Sequence, residues 1–150
     1  MIEQTSVLVD TNAISELQRK RPDANVRTWF AAQRTSNLYL SSFTIGEIEK
    51  GIHQHPDPEK AERLRVWFEG MVVPRFINRI LTYDAAAARV YGRWAGQGRK
   101  NGLTLPVTDA QIAAIAYTQG LSVATRNIED FAGLPIRLVN PWTAQTSSGI

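Results

Sequence analysis

The sequence predicts an α/β domain with a mostly parallel central sheet. Three observations predict it. The chain has 150 residues, the commonest size range for one domain and enough to fold without a disulfide or structural metal. Its composition, 43% apolar and 21% charged, is that of a packed globular protein and not of a disordered one. Short β-branched or apolar runs alternate along it with helical patterns, the layout of strands joined by crossover helices. No internal repeat or low-complexity linker interrupts the pattern.

The elements follow in order. Val7-Leu8-Val9 is an apolar run read as a strand buried on both faces. It ends at Asp10, and Thr11 to Leu17 starts a helix that Arg19-Lys20-Arg21-Pro22 breaks. Ala24 to Gln33 places Val26, Trp29 and Phe30 at helical spacing, and Leu38 to Ser41 is the second strand. Thr44 to Ile52 aligns Ile45, Ile48 and Ile52 on one helical stripe. His55-Pro56-Asp57-Pro58 is a turn before a helix from Glu59 to Glu69. Phe76 to Leu81 reads as extended, Asp84 to Gly96 as an Ala-rich helix, and Gly98 to Pro106 as a loop. Thr108 to Gln119 is the clearest helix, stopped by Gly120. Leu121 to Ala124 is a strand, Asn127 to Phe131 a short helical piece, and Ile136 to Val139 a last strand. Residues 1–142 are expected to form the domain and 143–150 a polar, frayed tail.

Composition excludes several chemistries. The absence of cysteine removes thiolate nucleophiles, thiolate zinc sites and disulfides. With two histidines, His53 and His55, a His-rich metal site is also excluded. A net charge of +3 and a pI near 9.5 permit an anionic partner such as nucleic acid without demanding one. No apolar run approaches the ~20 residues of a membrane span. The first ten residues lack a basic-then-apolar leader layout, so a cytoplasmic location is expected.

In open parallel sheets, ligands bind beyond the carboxyl ends of the strands. Asp10 ends the first strand, Glu47 lies in the helix after the second, Asp109 opens the clearest helix, and Asp130 follows the strand at Leu121 to Ala124. Parallel strands can gather all four at one sheet edge. Two like charges ~4 Å apart repel by about 4 kcal/mol at an effective dielectric of 20, so such a cluster calls for a neutralising group. Hard carboxylate oxygens select Mg2+ or Mn2+, the ions used in phosphodiester hydrolysis. Each acid also has a structural explanation. Thr44 with Glu47 and Thr108 with Gln111 fit capping boxes, and Asp10, Asn127 and Asp130 fit helix caps. Asp109 shares a face with Ile112, Ala113 and Ala116, a core-facing stripe that suits an unpaired charge poorly. Gly51, four residues after Glu47, implies room beside it.

The blocks VLVDTNAISEL, SSFTIGEIEKGI, LPVTDAQIAAIA and VATRNIEDF followed by IRLVNPW resemble the PIN-domain family, most closely its VapC and FitB-like toxin branch. The resemblance runs from Val7 to Trp142. It implies a three-layer α/β/α fold and a ribonuclease site dependent on Mg2+ or Mn2+. Asp10, Glu47 and Asp109 match the family's three acids, and the fourth position falls on Asn127 or Asp130. Asn12 and Thr125 match polar positions that would support the ligands or the scissile phosphate. The resemblance further implies an RNA substrate, a small DNA-binding antitoxin that docks on an apolar groove, and a homodimer or higher homo-oligomer.

Arg126 is placed to touch phosphate or to serve the surface. Arg19-Lys20-Arg21 and Arg99-Lys100 read first as solvated charge, with RNA backbone contact as the functional option. Trp29, Phe30, Trp67, Phe68, Tyr91 and Trp94 read as core or oligomer contacts, not base-stacking platforms. The competing functional class is a PIN-fold binding module that works within an antitoxin–operator DNA complex with weak or no nuclease activity; the intact acid set favours the enzyme. An aspartyl-nucleophile phosphotransferase is disfavoured, because Asn12 stands where its second acid belongs.

Overall fold

The computed structural model describes residues 6–143 and 145–148. Its strands are β1 (Val7–Val9), β2 (Leu38–Ser41), β3 (Ile80–Leu81), β4 (Ser122–Ala124), β5 (Arg137–Asn140) and β6 (Gln145–Ser148). The helices are α1 (Thr11–Glu16), α2 (Ala24–Ala32), α3 (Ser42–Gln54), α4 (Pro58–Trp67), the single turn α5 (Val73–Arg75), α6 (Ala85–Lys100) and α7 (Val107–Gln119). The sheet order is β3-β2-β1-β4-β5-β6, parallel throughout except for the antiparallel β5–β6 pair. Sequential strands run outward from β1 on one side, and the chain then returns to place β4 on the other. The point between β1 and β4 is therefore the topological switch, where open α/β sheets form their clefts.

Strand alternation builds the three layers. Val7 and Val9 face α1 and α3 together with Leu38, Leu40, Ile14, Ile48 and Phe76. Leu8 and Val123 face the opposite layer, where Ala110, Ile112, Ala113, Ile115 and Ala116 of α7 pack with Val90 of α6 and Phe131. Side chains of period two divide between two apolar layers, so β1 and β4 are buried on both faces. Phe68 lies in the core, and Trp29, Phe30, Trp67, Tyr91 and Trp94 pack partly buried against it. Among the described residues, no helix is long and apolar enough to cross a membrane.

Several local expectations are corrected. Helix α3 starts two residues early because the Ser41 hydroxyl caps it, accepting from the Thr44 N–H at 3.3 Å. The Thr44–Glu47 box does not form, and Thr44 is buried instead. Helix α7 begins after Pro106 with no side-chain cap, so the Thr108–Gln111 box is absent too. Asn127 precedes the 3-10 turn Ile128–Phe131 without a capping bond from its side chain. The extended reading of 76–81 shrinks to β3, because the helical path runs on through Phe68–Val72 and α5 and seats Phe76 in the core. Helix α6 continues to Lys100, through the expected loop: Gly98 lies buried with the Leu103 carbonyl 3.4 Å from where its Cβ would stand. Packing against α7 and the hydrogen bond from the Leu103 N–H to the Gly98 carbonyl (2.8 Å) outweigh the weak helix propensity of three glycines. Gly51 faces Leu64 of α4, which would stand 3.9 Å from a Cβ at that position, an ordinary contact, so the space beside this residue is turned to α4. Residues 145–148 of the expected frayed tail instead form β6, whose backbone pairs with β5. The first five residues, on which part of the leader reading rests, and positions 144, 149 and 150 lie outside the described residues.

Gly120 ends α7 at φ 69°, and its N–H and that of Leu121 return to carbonyls of the last turn. A side chain in that left-handed conformation is strained. Gly120→Ala is expected to destabilise the domain by roughly 1 kcal/mol in urea unfolding. Unchanged stability would contradict this account of how α7 stops and β4 begins.

Candidate active site

Asp10 and Thr125 follow paired residues of neighbouring strands, since Val9 is registered with Ala124. The Asp10 N–H donates to the Ala124 carbonyl (2.8 Å), and the Thr125 N–H to the Val139 carbonyl (2.9 Å), carrying the ladder past the strand ends. Both residues are buried, Asp10 at 5% exposure and Thr125 at 0%. The Thr125 hydroxyl donates to Asp10 Oδ2 at 2.8 Å. It accepts from the Asn127 N–H at 3.0 Å and the Asn12 side-chain amide at 3.3 Å, which fills the bonding capacity of a hydroxyl. Asn12 Nδ2 also reaches Asp10 Oδ2 at 3.3 Å, and the Arg126 N–H donates to Asn12 Oδ1 at 3.1 Å. That last bond fixes which way the amide faces, with its donors toward the carboxylate. Asp10 Oδ1 accepts from the Thr11 N–H at 2.9 Å, so Asp10 is both the cap of α1 and the centre of the network.

The other three acids surround this centre electrostatically. Glu47 stands on α3, exposed overall but with its carboxyl end partly desolvated. Burial raises its pKa, and the Asp10 charge adds to the effect. Asp109, half-buried in the first turn of α7, is pushed up to about 6, first by burial and then by the charges of Asp10, Asp130 and Glu47. The amino end of α7 would by itself favour an anion. Burial and three like charges outweigh it. Asp10 is also raised: desolvation exceeds the opposing help of Thr125, Thr11 and Asn12, with Asp130 adding repulsion. Asp130 is exposed on the 3-10 turn, and its charge is felt by both Asp10 and Asp109.

Among the described residues none of these acids makes an ion pair. Nor do three acids or histidines close on a common point at ligand distance. The donor set nonetheless fits a hard divalent cation: four carboxylates, no soft ligand, and a mutual repulsion that a cation would relieve. Asn127 contributes its backbone to the Thr125 hydroxyl, whereas the charge at the fourth corner comes from Asp130. The Arg126 guanidinium lies over the Trp142 ring, 5.1 Å from its centroid, while its backbone serves Asn12. His53 pairs with Glu49, on the exposed side of α3.

One contact and one buried acid escaped the sequence reading. Thr11 and Thr44 share a hydroxyl–hydroxyl bond of 2.9 Å that ties the start of α1 to the start of α3, and with it Asp10 to the helix carrying Glu47. No spacing rule signals a contact 33 residues apart. Glu16, an acid not singled out, is buried but paired: it bonds Arg19 at 3.2 Å and accepts from the Asp23 N–H at 2.9 Å.

A three-layer α/β/α domain with acids gathered at the switch of a parallel sheet belongs to the class that handles ligands at strand carboxyl ends. Comparison with known proteins narrows the class. The family model described as PIN domain matches residues 7–135, and the chain belongs to the PIN-domain family. It is 39% identical to the plasmid stability protein StbB of Pseudomonas syringae pv. tomato, over 92% of this chain and 99% of that protein. It is 35% identical to the VapC ribonuclease Y4jK of Sinorhizobium fredii, over 91% of this chain and 97% of the relative. The crystal structure of FitAcB from Neisseria gonorrhoeae superposes with a TM-score of 0.85 at 32% identity, covering 91% of this chain and 98% of that one.

The raised carboxyl pKa values fix the sign of a pH effect. Below the ordinary value of 3.8 Asp109 is protonated in both the folded and the unfolded chain; between there and about 6 the folded chain holds its proton more tightly. The stabilisation this gives is lost as the pH rises through about 6. In EDTA, Asp109→Asn is therefore expected to raise the melting temperature at pH 7.5 relative to the native chain, and to do so much less at pH 5. Equal shifts at both pH values would show that Asp109 does not carry the repulsion.

Proposed function

We propose that this chain is a metal-dependent endoribonuclease, the toxin of a toxin–antitoxin pair. The observation that carries the reading is the Asp10 carboxylate, held by Thr125, Asn12 and the Thr11 N–H amid three further acids that form no ion pair among the described residues. The ribonuclease named among its relatives supports the activity, and the FitAcB structure supports the assembly.

Asp10, Glu47, Asp109 and Asp130 would hold Mg2+ or Mn2+. A bound ion of this kind supplies a water of lowered pKa and polarises the phosphoryl oxygens during in-line hydrolysis. The chain's own contribution is placement. Thr125 and Asn12 aim Asp10 and oppose the burial that raises its pKa, the Thr11–Thr44 bond keeps α3 and Glu47 in reach, and α7 presents Asp109 from the opposite layer. Arg126, beside the network, offers its guanidinium to a phosphate on leaving Trp142.

The antitoxin would occupy the apolar cavity of about 340 Å3 between α1, α2 and the segment after α4. Ile14, Leu17, Phe30, Trp67, Met71 and Val72 line it, with Met71 still 56% exposed. Its wall on α1 leads back to Asp10, so a peptide seated there lies within reach of the acids.

Purified protein free of any antitoxin is expected to cleave RNA with Mg2+ or Mn2+ and to stop in EDTA. Asp10→Asn and Asp109→Asn are expected to reduce cleavage to background. Thr125→Val, which keeps every carboxylate, is expected to lower it by roughly 10–100-fold, the usual effect of losing a ligand's supporting bond. Cleavage that survives EDTA or Asp10→Asn would refute the assignment of the site.

A further inference from the structure

A second cavity, of about 430 Å3, opens among Gln18, Arg19, Lys20, His55, Lys60, Arg63 and Leu64. Its lining is brought together from three parts of the chain: the segment after α1, the end of α3 and the first two turns of α4. Four lysine or arginine heads and one imidazole face it, with a single apolar side chain. Arg19 is paired with Glu16, but Lys20, Lys60 and Arg63 make no ion pair among the described residues. Arg63 is the telling case. Glu59 stands four residues before it, the favourable spacing for a helical ion pair. On the same helix Arg65 pairs with both Glu62 and Glu69. Arg63 takes no such partner and lines the cavity.

Helix dipoles do not account for the arrangement. Cations after α1 and α3 sit at favourable carboxyl ends, but Lys60 stands in the first turn of α4, where positive charge is disfavoured, and Arg63 lies mid-helix, beyond the influence of either end. His55 accepts the Asp57 N–H on Nδ1 at 3.1 Å, which leaves the proton of a neutral ring on Nε2 as a donor. The packing of α4 against α3, with Leu64 facing Gly51, brings the separate charges to one place.

We infer that this cavity binds the phosphodiester backbone of the RNA substrate, a few nucleotides away from the bond that is cut. The inference rests on the ribonuclease reading and adds a contact to it. Helices α1 and α3 each begin at the acid site and end at the cavity. The six residues of α1 span about 9 Å, and a nucleic acid strand carries one charge per roughly 3.4 Å of helix axis. A strand with its scissile phosphate at Asp10 therefore reaches Lys20, Lys60 and Arg63 within a few phosphates. Several separate cationic heads around an open space suit phosphate oxygens, whereas a docked peptide needs apolar side-chain anchors, and Leu64 is the one apolar residue in the lining.

The test measures binding of a labelled single-stranded RNA of about 12 nucleotides by fluorescence anisotropy, in EDTA, across a salt series. A single strand contributes about 0.7 to the slope of log K against log salt for each phosphate contact. Lys20→Gln/Lys60→Gln/Arg63→Gln is expected to reduce the slope by roughly 2 and to weaken binding. Arg89→Gln/Arg93→Gln/Arg137→Gln, which removes the same charge from exposed positions on α6 and β5, is expected to change the slope little. Lys60→Arg/Arg63→Lys is expected to bind as the native chain does. Equal losses in the two triple variants, or a native slope in the first, overturn the cavity assignment and leave the ribonuclease reading intact. A native chain that binds no RNA overturns both. Competition for the cavity by polyglutamate as effective as by RNA overturns the assignment in favour of an acidic protein partner.

Discussion

The hydrogen bond from the Thr125 hydroxyl to the Asp10 carboxylate is the contact on which the rest of the site depends. It joins the carboxyl ends of β1 and β4 at the place where the sheet changes direction. Apart from the Asn12 amide, what orients it is backbone: the Val9–Ala124 register, the ladder bonds at Asp10 and Thr125, and the N–H groups of Thr11, Arg126 and Asn127. A buried carboxylate is costly unless hydrogen bonds replace its water. Here three donors do so, yet desolvation still dominates and holds the Asp10 pKa above its ordinary value. The site is organised but remains under electrostatic stress.

The chain buries an acid in another way nearby, and the contrast is informative. Glu16, as buried as Asp10, receives an Arg19 guanidinium and the backbone N–H of Asp23 at the start of α2. That arrangement closes the turn between α1 and α2 and requires nothing further. Among the described residues Asp10, Glu47, Asp109 and Asp130 form no ion pair, although Arg126 is next to Thr125 in sequence, and Glu47 alone feels a basic charge, that of Lys50. Charge is balanced where an acid builds the fold and left unbalanced where a cation is proposed to enter.

Much of this was legible from residue order. The β-branched run at 7–9 and the Ala-rich stripe of α7 gave the strand and helix that carry Asp10 and Asp109, because double-sided burial leaves a nearly continuous apolar signature. Asp109 stood out because it interrupts such a stripe. The errors came where tertiary contacts override local rules. Ser41, not Thr44, caps α3, since Thr44 is buried against Thr11. Helix α6 passes through three glycines because α7 holds it, and β6 forms because β5 offers an open edge. The basic cavity was invisible in sequence: Arg19 and Lys20 read as solvated charge until the fold set Lys60 and Arg63 opposite them.

The central proposal is that Asp10, Glu47, Asp109 and Asp130 hold a divalent cation, and the most direct measurement is calorimetric titration of Mn2+ into metal-free protein near pH 6. Because ligation requires the ionised form, native protein is predicted to bind Mn2+ with release of protons, seen as a dependence of the heat on the buffer's ionisation enthalpy. Asp10→Asn is predicted to abolish the binding. Absence of Mn2+ binding by the native chain, or binding that Asp10→Asn leaves unchanged, would contradict the account.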